Sequence, residues 1–266
     1  MEKHILTIDV EDNFTYEELV DKNDWAKYEG QVINNTIKIL SILKEFSATA
    51  TFFVVGIVAE RHPELIKIIY EDGHEISCHS YWHKPLNTLR WSEIEEDVKK
   101  AKEIITSIIG VQPLGYRAMG FSIPKNQIKY FEILKKYGFI YDSSNKYDPD
   151  GLKKTFVEHS IISAYPSFIK LAKKRVIFSG GTYFRLLPFN LIKKGFREYS
   201  EINEPVMLYI HSWEFNRDQP KRNVPIKQRI LQSPITFSTE KKLLGLSNNY
   251  KFVSIKQYIE NKGLKR

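Results

Sequence analysis

The chain of 266 residues is 42% hydrophobic with a formal net charge of +8, and its apolar residues are spread widely enough to build one sizeable core. A single cysteine, Cys78, excludes an internal disulfide, and no run reaches the ~18–20 consecutive apolar residues of a membrane span, so a membrane role would be peripheral. Many lysines (Lys99, Lys100, Lys102, Lys135, Lys136) fall on helical faces where solvated charge is ordinary, and basic and aromatic residues do not interleave, so nucleic acid is not an expected partner.

The N-terminus runs into a strand-like stretch without a basic leader, which makes the cytoplasm the expected compartment. Short apolar runs then alternate with amphipathic segments, the pattern of parallel strands separated by helices. Strands are expected at 4–9, 48–55, 75–78, 139–141 and 206–210. Helices are expected at 32–46, with a stripe of Ile33, Ile37, Leu40 and Leu43, and at 63–70, after a first-turn proline. A third, at 92–109, has Ser92 and Glu95 as a capping box and ends at Gly110, and a fourth spans 125–137. From 142 to 204 the rhythm breaks into polar turns and a glycine pair, read as an elaboration over a barrel rim. Without repeats or linkers, residues 1–266 are treated as one domain of α/β class.

The polar residues that close these strands carry the chemistry. Asp9, Glu11 and Asp12 follow the first strand, His79 and His83 the third, and His211 the last. In an α/β barrel all such strand ends converge on one rim. On a helical turn, the H-x3-H spacing of His79 and His83 places both imidazoles on one face, and a carboxylate completes the composition of a catalytic metal site. Strand alternation puts Asp9 and Glu11 on the same face, with Asp12 further into the loop. Nucleophilic chemistry is disfavoured, because there is no G-x-S-x-G elbow and Cys78 falls within a strand.

The blocks TIDVED (7–12), HSYWH (79–83), GYRAMGF (115–121), YDSS (141–144), GGTYFRLLP (180–188) and YIHSWEF (209–215), in this order, resemble the polysaccharide deacetylases with a NodB-type domain, of the carbohydrate esterase family 4 kind, in the branch with a DVED motif. The resemblance implies a single-domain distorted (β/α) barrel of the seven-stranded type that removes N-acetyl groups from amino sugars of a polysaccharide or glycan precursor and releases acetate. It implies Asp9 as catalytic base, Arg117 as the group holding that base and His211 as general acid. His79 and His83 become metal ligands with Asp12 as the third, Glu11 being the alternative. The ion would be divalent, Zn2+ by default, with Co2+, Ni2+, Fe2+ or Mn2+ also accepted by such ligands.

Where the family has a proline two residues after the arginine, this chain has Met119 followed by Gly120, which bears on the oxyanion-binding backbone. Trp82, Tyr116, Gly120, Phe121, Asp142 and Trp213 are expected substrate contacts, with Asp142 also expected to orient His211 or Arg117. The expected partner is an N-acetylated glycan or glycolipid-linked sugar, as in surface-polysaccharide assembly; the oligomeric state is left open. The rival readings are an amidase for a small non-sugar amide and a catalytically silent glycan-binding barrel.

Overall fold

Strand β1 (Lys3–Val10) pairs in parallel with β10 (Met207–His211) on one side and β2 (Thr51–Val54) on the other. Its first residues also pair with β11 (Lys251–Val253). The sheet continues through β3 (Glu75–Cys78), β4 (Gly115–Tyr116), β5 (Tyr141–Asp142) and β7 (Ile161–Ala164). Seven parallel strands thus run in the order β10-β1-β2-β3-β4-β5-β7, with β6 (Thr155–Glu158) antiparallel on the outer edge. This is the α/β architecture expected from the alternating pattern, in the distorted barrel form that the resemblance implies. It is seen in a computed structural model that describes residues 3–12, 31–146, 155–158, 161–215 and 237–263.

The barrel is open. Among the described residues β7 and β10 do not pair, and a seam of serines fills the gap. The Met207 N–H donates to Ser167 Oγ at 2.9 Å, the Ser167 N–H to Ser179 Oγ at 2.6 Å, and the Tyr209 N–H to the Ser179 carbonyl at 2.8 Å. The hairpin of β8 (Phe168–Leu171) and β9 (Lys174–Ile177) lies between Ser167 and Ser179.

Among the described residues the sheet is accompanied by helices α1 (Val32–Glu45), α2 (Gly56–Arg61), α3 (Pro63–Glu71), α4 (Trp91–Ile109), α5 (Gln127–Lys136), α6 (Gly181–Leu186), α7 (Phe189–Glu201), α8 (Phe237–Ser247) and α9 (Ile255–Asn261). Strand alternation divides the apolar residues into two cores. Leu6, Ile8, Val10, Phe52, Val54 and Cys78 face outward and pack against helices. Ile5, Phe53, Tyr141, Ile162, Ala164 and Met207 form an inner cluster with Ile255, Tyr258 and Ile259 of α9. Since β11 pairs with the start of β1, α9 plugs the N-terminal end of the barrel and leaves the other end as its mouth.

Several local expectations are revised. In α1 the stripe is phased differently: Ile33 and Ile37 are 42% and 39% exposed, while Asn35 and Thr36 are buried beside Ile39, Leu40 and Leu43. Helix α4 starts at Trp91 rather than Ser92, and its first turn is closed by Glu93 accepting from the Arg90 N–H at 2.8 Å; Glu95 pairs with Lys136 instead. Lys102 is buried, with its ammonium on the Tyr137 carbonyl. From the stretch expected over the rim, β7 enters the main sheet.

Candidate active site

The alternation of β1 continues past its end. Thr7 and Asp9 point into the barrel, and Glu11 follows them on the same face. Opposite, Gly115 and Arg117 point inward on either side of outward-facing Tyr116. A Cβ on Gly115 would lie 1.9 Å from Tyr141 Cζ, so only glycine lets the Tyr141 ring fill the space below Arg117.

Arg117 is fully buried and organises this layer. Its Nη1 donates to Asp9 Oδ1 at 2.6 Å, its Nη2 to Thr7 Oγ1 at 3.0 Å and Ser143 Oγ at 2.9 Å, and its guanidinium lies 4.0 Å from the Phe53 ring centroid. Asp9 is thereby fixed with Oδ2 toward the mouth, 3.8 Å from the Nε2 atoms of both His79 and His211.

The carboxylate that meets the two histidines is Glu11. Its Oε2 lies 2.6 Å from His83 Nε2 and 3.5 Å from His79 Nε2, and the ligand atoms of the three buried residues fall within 4.8 Å of one another. Asp12, expected as the third ligand, instead accepts the Gln31 N–H on Oδ1 at 3.0 Å. Its position follows from the pleat: adjacent residues point to opposite sides, and Glu11 takes the inward one. Burial acts to raise the Glu11 pKa, but the proximity of His83, His79 and His211 together holds it well below the usual carboxylate range.

His79 and His83 meet without a helical turn. Ser80 and His83 have φ of 64° and 54°, and this bent loop brings the two ring centroids to 5.0 Å. Asp97 of α4 holds the loop, accepting the N–H groups of Tyr81 and Trp82 at 2.9 and 2.8 Å. His79 Nδ1 lies 2.8 Å from the Arg117 carbonyl, an obligate acceptor, so Nδ1 carries the proton and Nε2 is left for the cluster. Glu11 Oε2 is buried and has no hydrogen bond among the described residues. Two imidazoles and a carboxylate with an unsatisfied oxygen suit a divalent ion with open coordination positions.

His211 ends β10 at the mouth. Its Nδ1 lies 2.6 Å from Glu214 Oε1, and its ring stacks on Trp213 at 5.2 Å with an interplanar angle of 19°. Burial acts to lower the His211 pKa, but the Glu214 hydrogen bond and the charges of Glu11, Glu214 and Asp9 raise it above the ordinary value. Trp213 donates Nε1–H to Glu11 Oε1 at 3.1 Å, so it steadies site residues. Glu214 was missed in the sequence; its signal was the i, i+3 spacing to His211, across a single 3-10 turn over Ser212–Phe215.

Of the other expected contacts, Tyr116, Asp142 and Trp82 pack toward the outer core. Tyr116 is buried in the outer core between the rings of Tyr130 and Phe139. Asp142 also faces outward: it accepts from Tyr130 Oη at 2.6 Å and from Ser144 Oγ at 2.5 Å, rather than orienting His211, while its neighbour Ser143 reaches Arg117. Trp82 packs against the outer core with Lys100 Nζ 4.8 Å from its ring. Gly120 is exposed with φ of 60°, and the ring of Phe121 lies 5.2 Å from Tyr209 near the mouth. Burial pushes the Cys78 thiol pKa far up, which agrees with its exclusion as a nucleophile.

The fold and its contents define an α/β barrel with a carboxylate–histidine cluster at the C-terminal ends of its strands. Residues 27–140 match the family model of polysaccharide deacetylase, and residues 132–260 that of DUF3473, a domain of unknown function. Over residues 27–140 the chain thus carries a polysaccharide deacetylase domain match, in line with its ordered motifs.

A peptidoglycan-N-acetylglucosamine deacetylase of Bacillus cereus is 34% identical over 102 residues, 38% of this chain and 37% of that protein. Chitin deacetylase 1 of Cryptococcus neoformans is 34% identical over 101 residues, 38% of this chain and 22% of that protein. The matches thus span well under half the length of these curated relatives.

Among solved structures, a Mycobacterium smegmatis protein provisionally described as a polysaccharide deacetylase superposes with a TM-score of 0.67 at 20% identity, covering 97% of this chain and 89% of that one. A Bacillus anthracis pseudoenzyme of carbohydrate esterase family 4 superposes with 0.56 at 15% identity, covering 96% and 64%. These likenesses concern the fold alone, and activity has to be argued from the residues at the mouth.

Proposed function

We propose that the chain is a divalent-metal-dependent hydrolase that removes N-acetyl groups from amino sugars of a glycan or glycan precursor and releases acetate. The observation that carries this reading is the convergence of Asp9, Glu11, His79, His83 and His211 on one buried spot at the barrel mouth. Glu11, His79 and His83 would hold the ion, with Zn2+ the first candidate. When bound, such an ion supplies Lewis-acid polarisation of an amide carbonyl and acidifies water at neutral pH.

The chain's own groups divide the remaining work. Asp9 Oδ2, aimed at the mouth by the Arg117 pair, accepts a proton from the attacking water. His211 Nε2, 3.8 Å from that oxygen, delivers a proton to the departing nitrogen as the C–N bond breaks and its electron pair returns to nitrogen. The products are acetate and a free amino sugar. The intact acid, base and ligand positions weigh against a silent barrel.

The test is acetate release from N-acetylglucosamine oligomers and from nucleotide- or lipid-linked N-acetylated sugars, using metal-stripped, zinc-restored and Asp9→Asn protein. Release should require both metal and Asp9, and Asp9→Asn should lower it by ~10²–10⁴-fold. Stoichiometric metal binding with no release from any sugar would overturn this reading in favour of another amide.

A further inference from the structure

We propose that the DUF3473 half of the chain acts as a clamp on the proton-delivering side of the site, with Glu214 as the positioning residue of His211; this rests on the deacetylase reading above. Glu214 is fully buried, and its Oε1 meets both His211 Nδ1 at 2.6 Å and the His211 N–H at 3.3 Å. Two anchors on one residue prevent the imidazole from turning without losing a bond. A carboxylate on Nδ1 also keeps one proton there and supports the imidazolium, so that the proton to be delivered sits on Nε2 facing the mouth.

Glu214 is held in turn by two helices. Thr239 of α8 donates to its Oε2 at 2.7 Å, and Arg185 of α6 brings Nε to 3.9 Å from the same oxygen with its guanidinium 4.7 Å from the Trp213 ring centroid. Lys242 of α8 fastens α6, donating to the carbonyls of Phe184, Arg185 and Leu187 at 2.7, 2.9 and 2.8 Å, where a helix end leaves carbonyls without intrahelical partners. Gly180 and Gly181 let α6 sit on β10, since Cβ atoms there would fall 2.1 and 2.8 Å from Tyr209 ring atoms.

Glu214, Arg185, Thr239, Lys242 and both glycines fall within the DUF3473 match, whereas His79, His83 and Arg117 fall within the deacetylase match. The first part of the chain supplies most of the ion-binding and base-holding groups, and the second supplies the acid with its mounting. An amide needs its nitrogen protonated as it leaves; an aryl ester, whose phenolate is stable, does not. Loosening the clamp should therefore slow amides and spare esters.

The experiment compares wild type, Glu214→Gln, Thr239→Val and Lys242→Met on N-acetylglucosamine oligomers and on 4-nitrophenyl acetate. Metal content and the nitrogen-15 signals of the His211 imidazole are measured alongside. Glu214→Gln should lower kcat for the amide by ~100-fold or more, with KM, metal content and ester turnover nearly unchanged. Thr239→Val and Lys242→Met should do the same to a smaller degree. The wild-type imidazole should be protonated at Nδ1, and Glu214→Gln should lose that preference. Parallel losses on both substrates, no loss on either, or imidazole signals indifferent to Glu214 would overturn the clamp. A wild type that releases no acetate would count against the deacetylase reading alone, and the imidazole signals would still decide whether Glu214 holds the ring.

Discussion

Trp213 and Glu11, 202 positions apart, are joined by a 3.1 Å hydrogen bond from the indole Nε1 to Oε1. The bond leaves Oε2 facing His79 and His83, so the carboxylate has one oxygen for support and one for an ion. Asp12, its chain neighbour, is occupied by the Gln31 backbone.

Metal titration of the stripped protein should separate the two acids. Glu11→Gln should weaken binding by more than the ~10–100-fold that loss of a supporting residue costs, and Trp213→Phe should fall in that supporting range. Asp12→Asn keeps an acceptor for the Gln31 N–H and should bind the ion as the wild type does. A loss confined to Asp12→Asn would reverse the assignment.

Arg117 and Asp9 form a buried pair with side-chain exposures of 1% and 5%. Removing one member of such a pair strands the other charge, at a cost of ~3–5 kcal/mol. Arg117→Met should lower the stability measured by urea unfolding by about that amount. Arg117→Lys should recover only part of it, because an ammonium cannot reach Asp9, Thr7 and Ser143 with a planar fork. An unchanged urea midpoint for Arg117→Met would contradict the pairing.

The architecture was legible because parallel strands in a barrel read as short apolar runs closed by polar residues. The inward face of β1 was legible too: alternation places Asp9 with Glu11, whereas motif resemblance pulled toward Asp12. Two-residue strands such as β4 and β5 have no period to detect, so nothing in the sequence shows that the pleat turns Tyr116 and Asp142 outward, and the motif resemblance points to them as contacts instead. The phase of α1 was obscured by Asn35 and Thr36, polar residues whose burial no hydrophobicity pattern announces.

Asp142 offers a test through pH. Burial outweighs the hydrogen bonds from Ser144 and Tyr130 and pushes its pKa up from 3.8 to about 6. A carboxyl group whose folded pKa is raised binds more protons in the folded state than in the unfolded one. Its contribution is therefore full below pH 3.8 and is lost as pH rises through about 6. The interval corresponds to ~3 kcal/mol. Unfolding free energies of wild type and Asp142→Asn, measured from pH 4 to 7.5, should show the wild type losing ground to the variant as pH rises. A difference independent of pH would show that Asp142 keeps an ordinary pKa.

The position of β1 between β2 and β10 has a consequence for biosynthesis. Asp9 is made long before its register partner in β10, His211, and Thr7 bonds to the Leu208 carbonyl across 201 positions. Contacts of such sequence separation form slowly and late. A nascent chain that has not yet reached β10 therefore holds its acidic pair and its H-x3-H loop without the strand that carries His211, and the cluster at the mouth is assembled only once that strand has paired.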